Sequence, residues 1–155
     1  MQIVEYEARH AGAWRTLNEA WIRRWFTLEA KDEEVLSNPQ GAILDKGGRI
    51  FIAEQENGQV VGCVALQAMS DGGLEVAKMA VEEAARGSGV GRRLMQECVA
   101  AARAAGAARL YLESNRKLAP AIGLYRAFGF RELEPTPTPY ARCDIQMELP
   151  LGEGL

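Results

Sequence analysis

The chain has 155 residues, 48% of them apolar and 25% charged, and a formal net charge of −3. That length suits one domain that buries about two-thirds of its unfolded surface, and the composition is ordinary for a globular protein. A pI near 5.3 argues against nucleic acid or an anionic membrane as the main partner.

The N-terminal MQIVEYEARH alternates and carries acids, so it does not read as a signal peptide. No apolar run approaches the roughly 20 residues that span a bilayer. A cytoplasmic location is the expectation. QIVEY (2–6) alternates as a half-buried strand does. From Ala11 onward, Trp14, Leu17, Trp21 and Trp25 recur every three or four residues, one face of a helix. A shorter helix is predicted around Asp32–Leu36, ended by Ser-Asn-Pro, because Pro39 disfavours helix in the residue before it. Segments 50–55 and 59–69 flank Asn57-Gly58 and read as a hairpin. LEVAKMAV (74–81) is a further strand. Val90, Leu94, Cys98, Ala101 and Ala105 mark a helix with Gly106 as its C-cap. ARLYLES (108–114) is a fifth strand, and LAPAIGLYRAF a short helix with Pro120 in its first turn. GFREL and ARCDIQMEL are the closing strands, and 151–155 a loose tail after a single domain over 1–150.

Two residue types narrow the chemistry. Cys63, Cys98 and Cys143 are odd in number and lack CxxC spacing, so they read as reduced, buried small hydrophobes. His10 is the only histidine, which removes Ser-His-Asp, Cys-His and His-rich metal chemistry. It reads as a surface or capping residue.

The loop ARGSGVGR, between strand 74–81 and the following helix, places glycines at 87, 89 and 91 among arginines. A P-loop would need Lys and Ser/Thr after its second glycine, yet Arg92 and Arg93 follow Gly91. A dinucleotide fingerprint fails in both frames, meeting Arg92 or Leu94 where the third glycine belongs. What remains is a set of N–H groups from Gly87 to Arg92 at a helix N-terminus, which carries about half a positive charge. Glycine lets a pyrophosphate reach the backbone, and Arg86 and Arg92 could add charge-assisted bonds.

ARGSGVG resembles the R/Q-x-x-G-x-G/A acyl-coenzyme A signature of the GNAT N-acetyltransferases. LYLESN and AIGLYRAFGF are similar to that superfamily's second motif. The resemblance is specific over 75–130 and matches elsewhere in element order. It implies a GNAT-like α/β fold, a mixed and mostly antiparallel sheet of about seven strands with about four helices. It also implies acetyl-CoA as acetyl donor, no metal, and a loop at Arg86, Gly87, Ser88, Gly89, Val90, Gly91 and Arg92 that holds the coenzyme.

By the same resemblance, the Met79 backbone N–H polarises the thioester carbonyl, and Val81 pairs with the pantetheine arm. Asn115 bonds the pantetheine or a water, and Tyr125 protonates the leaving thiolate. Glu75 stands where some members carry a general base, with Glu113 and then Glu54 as further candidates. Strand alternation puts Glu75, Ala77 and Met79 on one face. Trp21, Trp25 and Phe26 are candidates to line an acceptor pocket, although an aromatic stripe at helical spacing is also how a core is built. Glu29, Tyr140, Arg142 and Asp144 border that cleft, and their mixed charge suggests a zwitterionic or amine-bearing small molecule. The expected activity is N-acetyl transfer to a primary amine of a small molecule or peptide. The rival reading is a non-catalytic acyl-CoA sensor or partner-binding module. A monomer and a homodimer both fit.

Overall fold

The computed structural model describes residues 1–152. Seven strands form one sheet: β1 (Gln2–Glu5), β2 (Arg49–Glu54), β3 (Val60–Ala68), β4 (Leu74–Val81), β5 (Arg109–Ser114), β6 (Arg131–Glu132) and β7 (Ile145–Pro150). Their spatial order is β1-β2-β3-β4-β5-β7-β6, and only the β4–β5 pair is parallel. Five α-helices flank it: α1 (Ala11–Trp25), α2 (Ala30–Ser37), α3 (Pro39–Ala42), α4 (Val90–Ala104) and α5 (Ala119–Ala127). The expected fold class is the one found.

Sequence accounts for most element ends. Glu29 and Asp32 make a reciprocal capping box at α2. Pro39 ends α2 as expected but also starts α3, because proline is harmless at a first helical position and the Asn38 side chain accepts from the Gly41 N–H. At the end of α4, Gly106 N–H reaches Arg103 O and Ala107 N–H reaches Ala102 O. This is the two-bond cap that a glycine at positive φ allows.

Each sheet face has its own core. Trp14 and Ile22 of α1 join Val35 and Leu36 of α2 against Ile50, Ile52 and Cys63 on one face. Val90, Leu94, Met95 and Cys98 of α4 cover Phe51, Val64, Leu66 and Leu110 on the other. Gly62 of β3 lies under α4, where a Cβ would stand 2.8 Å from a Val90 methyl.

Several expectations need correction. His10 is buried rather than on the surface, although it does cap as expected: its Nδ1 accepts from the Glu7 N–H in a capping box, and its Nε2 lies 2.5 Å from Glu54 Oε1. The last strand starts at Ile145 rather than Ala141, since Tyr140 to Cys143 form a turn. Leu151, the first residue of the expected loose tail, is buried and donates its N–H to Ala108 O. Residues 153–155 lie outside the described residues.

The feature that matters most for the site is a bulge in β4. Cys63 pairs with Ala80 and Ala65 with Ala77, so two residues, Lys78 and Met79, oppose Val64 alone. Lys78 takes φ 56°, a left-handed conformation rare outside glycine. The bulge reverses strand parity. Met79 and Val81 therefore pack with Leu74 and Val76 toward α4, and Met79 does not share a face with Glu75. Beyond the bulge β4 leaves its neighbour: β4–β5 pairing ends at Val76–Leu112.

Candidate active site

The gap between the separating strands is a cavity of about 510 Å³ that runs from the glycine loop, past the β4 bulge, to α1 and the 140–143 turn. Ala77, Lys78, Met79 and Val81 line one wall, and Leu112 to Asn115 the other. With no strand partner on its β5 side past Val76, β4 presents open backbone there.

One end suits an anion. Gly87 and Gly89 adopt φ 82° and 88°, and a Cβ on either would meet no atom within 4 Å. The N–H groups of Gly87, Gly89, Val90, Gly91 and Arg92 have no acceptor among the described residues, whereas Ser88 and Arg93 donate to Ala85 O and Gly89 O. Five free donors at a helix N-terminus are what a polyanion with several oxygens would satisfy. The Arg86 guanidinium lies 4.8 Å from the Trp21 ring centroid, and Arg92 5.6 Å from that of Phe128. Both arginines line the cavity, and neither makes an ion pair among the described residues. Ser88 is the exception among the expected loop residues. Its hydroxyl also turns to Ala85 O, and it does not line the cavity.

Midway stand the acid–base groups. Glu75 lines the cavity with no hydrogen-bond partner among the described residues. Burial, then the neighbouring Glu113 carboxylate, push its pKa up to about 7. Glu113 is engaged, accepting from the Tyr111 hydroxyl at 2.7 Å and from the Thr138 hydroxyl at 2.5 Å. Tyr125 projects from α5 with its ring against Phe130, and burial pushes its phenol up to about 12, opposed in part by the Ser114 hydroxyl. Asn115 also lines the cavity, but its amide is a clip. Its Nδ2 donates to Arg142 O and its Oδ1 accepts from the Lys117 N–H.

The far end is an ion network that sequence reading only half found. Arg142 donates to both carboxylate oxygens of Asp32, at 2.7 and 2.8 Å, and to Glu29 at 3.3 Å. Lys78 Nζ bridges Asp32 Oδ1 at 2.8 Å and the Tyr140 hydroxyl at 2.9 Å. Burial alone would raise the Asp32 pKa, but Arg142, Lys78 and the Glu29 N–H bring it down to about 2. Burial lowers Lys78 despite Asp32. Glu29, Tyr140 and Arg142 were candidates; Asp32 and Lys78 were not. Positions 32 and 78 are far apart in sequence, and only the bulge turns Lys78 toward α2. The Glu29–Asp32 capping spacing was the one legible trace.

Other candidates fall elsewhere. Glu54 is held by His10 and Arg9, outside the cavity. Asp144 accepts the Arg116 N–H. Trp25 is 37% exposed and does not line the cavity, whereas Trp21 and Phe26 do.

This geometry has known counterparts. The model of the acetyltransferase (GNAT) domain matches residues 46–132. The chain belongs to the GNAT acetyltransferase family. It is 42% identical over 86 residues to the IAA acetyltransferase of Azospirillum brasilense, a match over 55% of this chain and 56% of that one. It is 31% identical over 110 residues to an uncharacterized N-acetyltransferase of Schizosaccharomyces pombe, over 70% of this chain and 67% of the other. The chain thus spans little more than half the length of the first of these relatives. A GNAT acetyltransferase structure from Staphylococcus aureus superposes with a TM-score of 0.90 at 19% identity, over 97% of this chain and 99% of that one. A Salmonella typhimurium structure with its cofactor acetyl-CoA gives 0.78 at 21%, over 99% and 95%. These two likenesses concern the GNAT fold.

Proposed function

We propose that this GNAT protein is a cytoplasmic N-acetyltransferase that moves the acetyl group of acetyl-CoA to a primary amine of a small molecule or peptide by direct attack. One observation carries the reading: a single cavity joins the unsatisfied N–H cluster, the partnerless stretch of β4, Glu75 and Tyr125.

Acetyl-CoA supplies an activated acetyl thioester, and the residues supply the rest. Arg86, Arg92 and the N–H groups of 87 and 89–92 hold the phosphates. The open backbone of Met79 and Val81 holds the arm and offers an N–H to the reacting carbonyl. Glu75 receives the amine's proton, and a pKa of about 7 suits a base that must be ionised and yet protonatable near neutrality. The Tyr125 O–H faces the departing sulfur. A phenol near 12 is a weaker acid than a free thiol near 8.5, so the hydroxyl stabilises the thiolate chiefly as a hydrogen-bond donor. The same burial that raises the phenol also raises a thiol beside it, which narrows the gap. Among the described residues no group of three or more His, Cys, Asp and Glu is arranged to hold a metal, and no step above uses one.

Titration calorimetry with acetyl-CoA tests the reading, for the native protein and for Gly89→Val. In the variant the Cβ meets no protein atom, but valine is strained at φ 88°, so its branches in the open space and the altered loop backbone both deny a phosphate its N–H groups. Binding by the native protein and a large loss in the variant are expected. No binding by the native protein overturns the proposal.

A further inference from the structure

Asn18 is an unexplained buried polar residue. It sits on α1 with 1% of its surface exposed and lines the cavity. Its Nδ2 donates to Trp14 O at 3.0 Å and to Cys63 Sγ at 3.4 Å. The Trp14 carbonyl fixes the amide's orientation, because only the NH₂ can face a carbonyl oxygen. Asn18 Oδ1 therefore points the other way and takes no hydrogen bond among the described residues. Among the described residues, the one fully enclosed side-chain N or O without a partner is Trp14 Nε1. Asn18 Oδ1 is thus not enclosed, and the space it meets is the cavity. Cys63, which bonds Asn18, also approaches Lys78 O in the β4 bulge, so Asn18 stands beside the strand that bears the reacting carbonyl's donor.

Charge around this end of the cavity is one-sided. Its two lining cations, Lys78 and the half-buried Arg142, are matched by Asp32 and Glu29. Glu75 and Glu113 add two carboxylates that make no salt bridge among the described residues. Of the cations that line the cavity, Arg86 and Arg92 have no carboxylate partner and are at the opposite end on the glycine loop, while Lys117, behind the Phe26 ring at 4.4 Å and donating to Trp25 O, is not part of the lining. The remaining wall is Trp21, Ile22 and Phe26. What this end offers a ligand is two free hydrogen-bond acceptors, a surplus of negative charge and an apolar surface.

We propose that Asn18 Oδ1 and the Glu75 carboxylate together seat the acceptor nitrogen, and that the acceptor is an amine with an apolar body and no anionic group beside the nitrogen. The inference rests on the acetyltransferase reading. An incoming ammonium gives one N–H to Asn18 and a proton to Glu75, which leaves its lone pair free for the acetyl carbon. The new N–C bond forms as the C–S bond breaks, the sulfur departs with the electron pair, and the nitrogen's second proton passes to that thiolate, so the products are the amide and the thiol. A carboxylate on the adjacent carbon would meet Glu75 and Glu113, and the lining cations of this end, Lys78 and Arg142, are already paired with Asp32. This replaces the zwitterionic acceptor suggested by the mixed charges in the sequence.

The test compares phenethylamine with phenylalanine, which differ by that carboxylate alone, while calorimetry follows acetyl-CoA. Phenethylamine is expected to have a kcat/KM at least tenfold higher. Asn18→Leu should lower kcat/KM for phenethylamine by about tenfold, the worth of one hydrogen bond, and leave acetyl-CoA affinity unchanged. Phenylalanine turned over as well as phenethylamine, neither amine acetylated by a protein that binds acetyl-CoA, or a folded Asn18→Leu with native kcat/KM each overturns the inference and leaves coenzyme binding standing. Failure to bind acetyl-CoA removes the acetyltransferase reading and the inference with it. The amine comparison uses the native protein, so it holds if Asn18→Leu does not fold.

Discussion

Glu75 and Tyr125 illustrate how a residue's chemistry comes from what surrounds it. A carboxylate in water titrates near 4.3, whereas Glu75, buried beside Glu113, sits at about 7. As the base, it should give a kcat/KM profile that rises with pH and levels off above about 7. Glu75→Gln should lower kcat/KM by 10²–10⁴-fold at pH 8 and erase that rising limb. The sign for stability is opposite. Between the unfolded value and about 7 the folded state holds more protons than the unfolded one, so this group's contribution falls as pH rises across that window. Glu75→Gln should flatten the fall, which thermal melts from pH 5 to 8 would reveal. Tyr125→Phe keeps the ring against Phe130 and removes only the hydroxyl. It should reduce kcat and leave acetyl-CoA affinity near native; an unchanged kcat would remove Tyr125 from the chemistry. The motif pointed to both residues in the sequence. Their titration could not be read there, because it depends on β5 lying beside β4.

At the scale of elements, the same distinction separates what the sequence disclosed from what it hid. Strand 74–81 and the helix from Val90 were legible, because period-two alternation and the i, i+4 stripe are local signals. The bulge was not. LEVAKMAV shows nothing unusual at Lys78, and the left-handed turn there is imposed by the partner strand and by the ion network beyond it. Asp32 is that network's centre, joining α2 to the bulge through Lys78 and to the 140–143 turn through Arg142. Asp32→Ala leaves two cations without their shared anion. A loss of about 3–5 kcal/mol is expected from urea unfolding, as for other broken buried pairs, with KM for the amine rising as the wall loosens. The folded Asp32 pKa is depressed to about 2, so its contribution is complete above the unfolded value near 3.9 and fades as pH falls toward 2. Acid unfolding of the native protein should show that loss, and Asp32→Ala should not. Gly62→Ala probes the other face. The added methyl would press on Val90 and Leu94 and should cost about 1–3 kcal/mol, read from urea unfolding.

For the whole molecule, the layout rests on one departure from regular pairing. The β4-α4-β5 crossover brings two strands together in parallel for three residue pairs and then lets them part. The gap places the α4 N-terminus, the open β4 edge and the α1–α2 wall around one space. Element order could be inferred from sequence, whereas the strand separation, and with it Asn18 and Lys78 at the site, required tertiary contacts. This arrangement predicts how the coenzyme couples to the fold. Strands β4 and β5 share few hydrogen bonds across the gap, so a ligand bound there links the two halves of the sheet and stabilises only the folded state. At a hundredfold excess over Kd the gain is about 2.7 kcal/mol. For a chain of this size that is a rise in Tm of roughly 5–11 °C, at 2–4 °C per kcal/mol. Calorimetric melts with and without acetyl-CoA check the shift, and Gly89→Val should abolish it. A native protein whose Tm ignores saturating acetyl-CoA would mean that the space between β4 and β5 belongs to a different ligand.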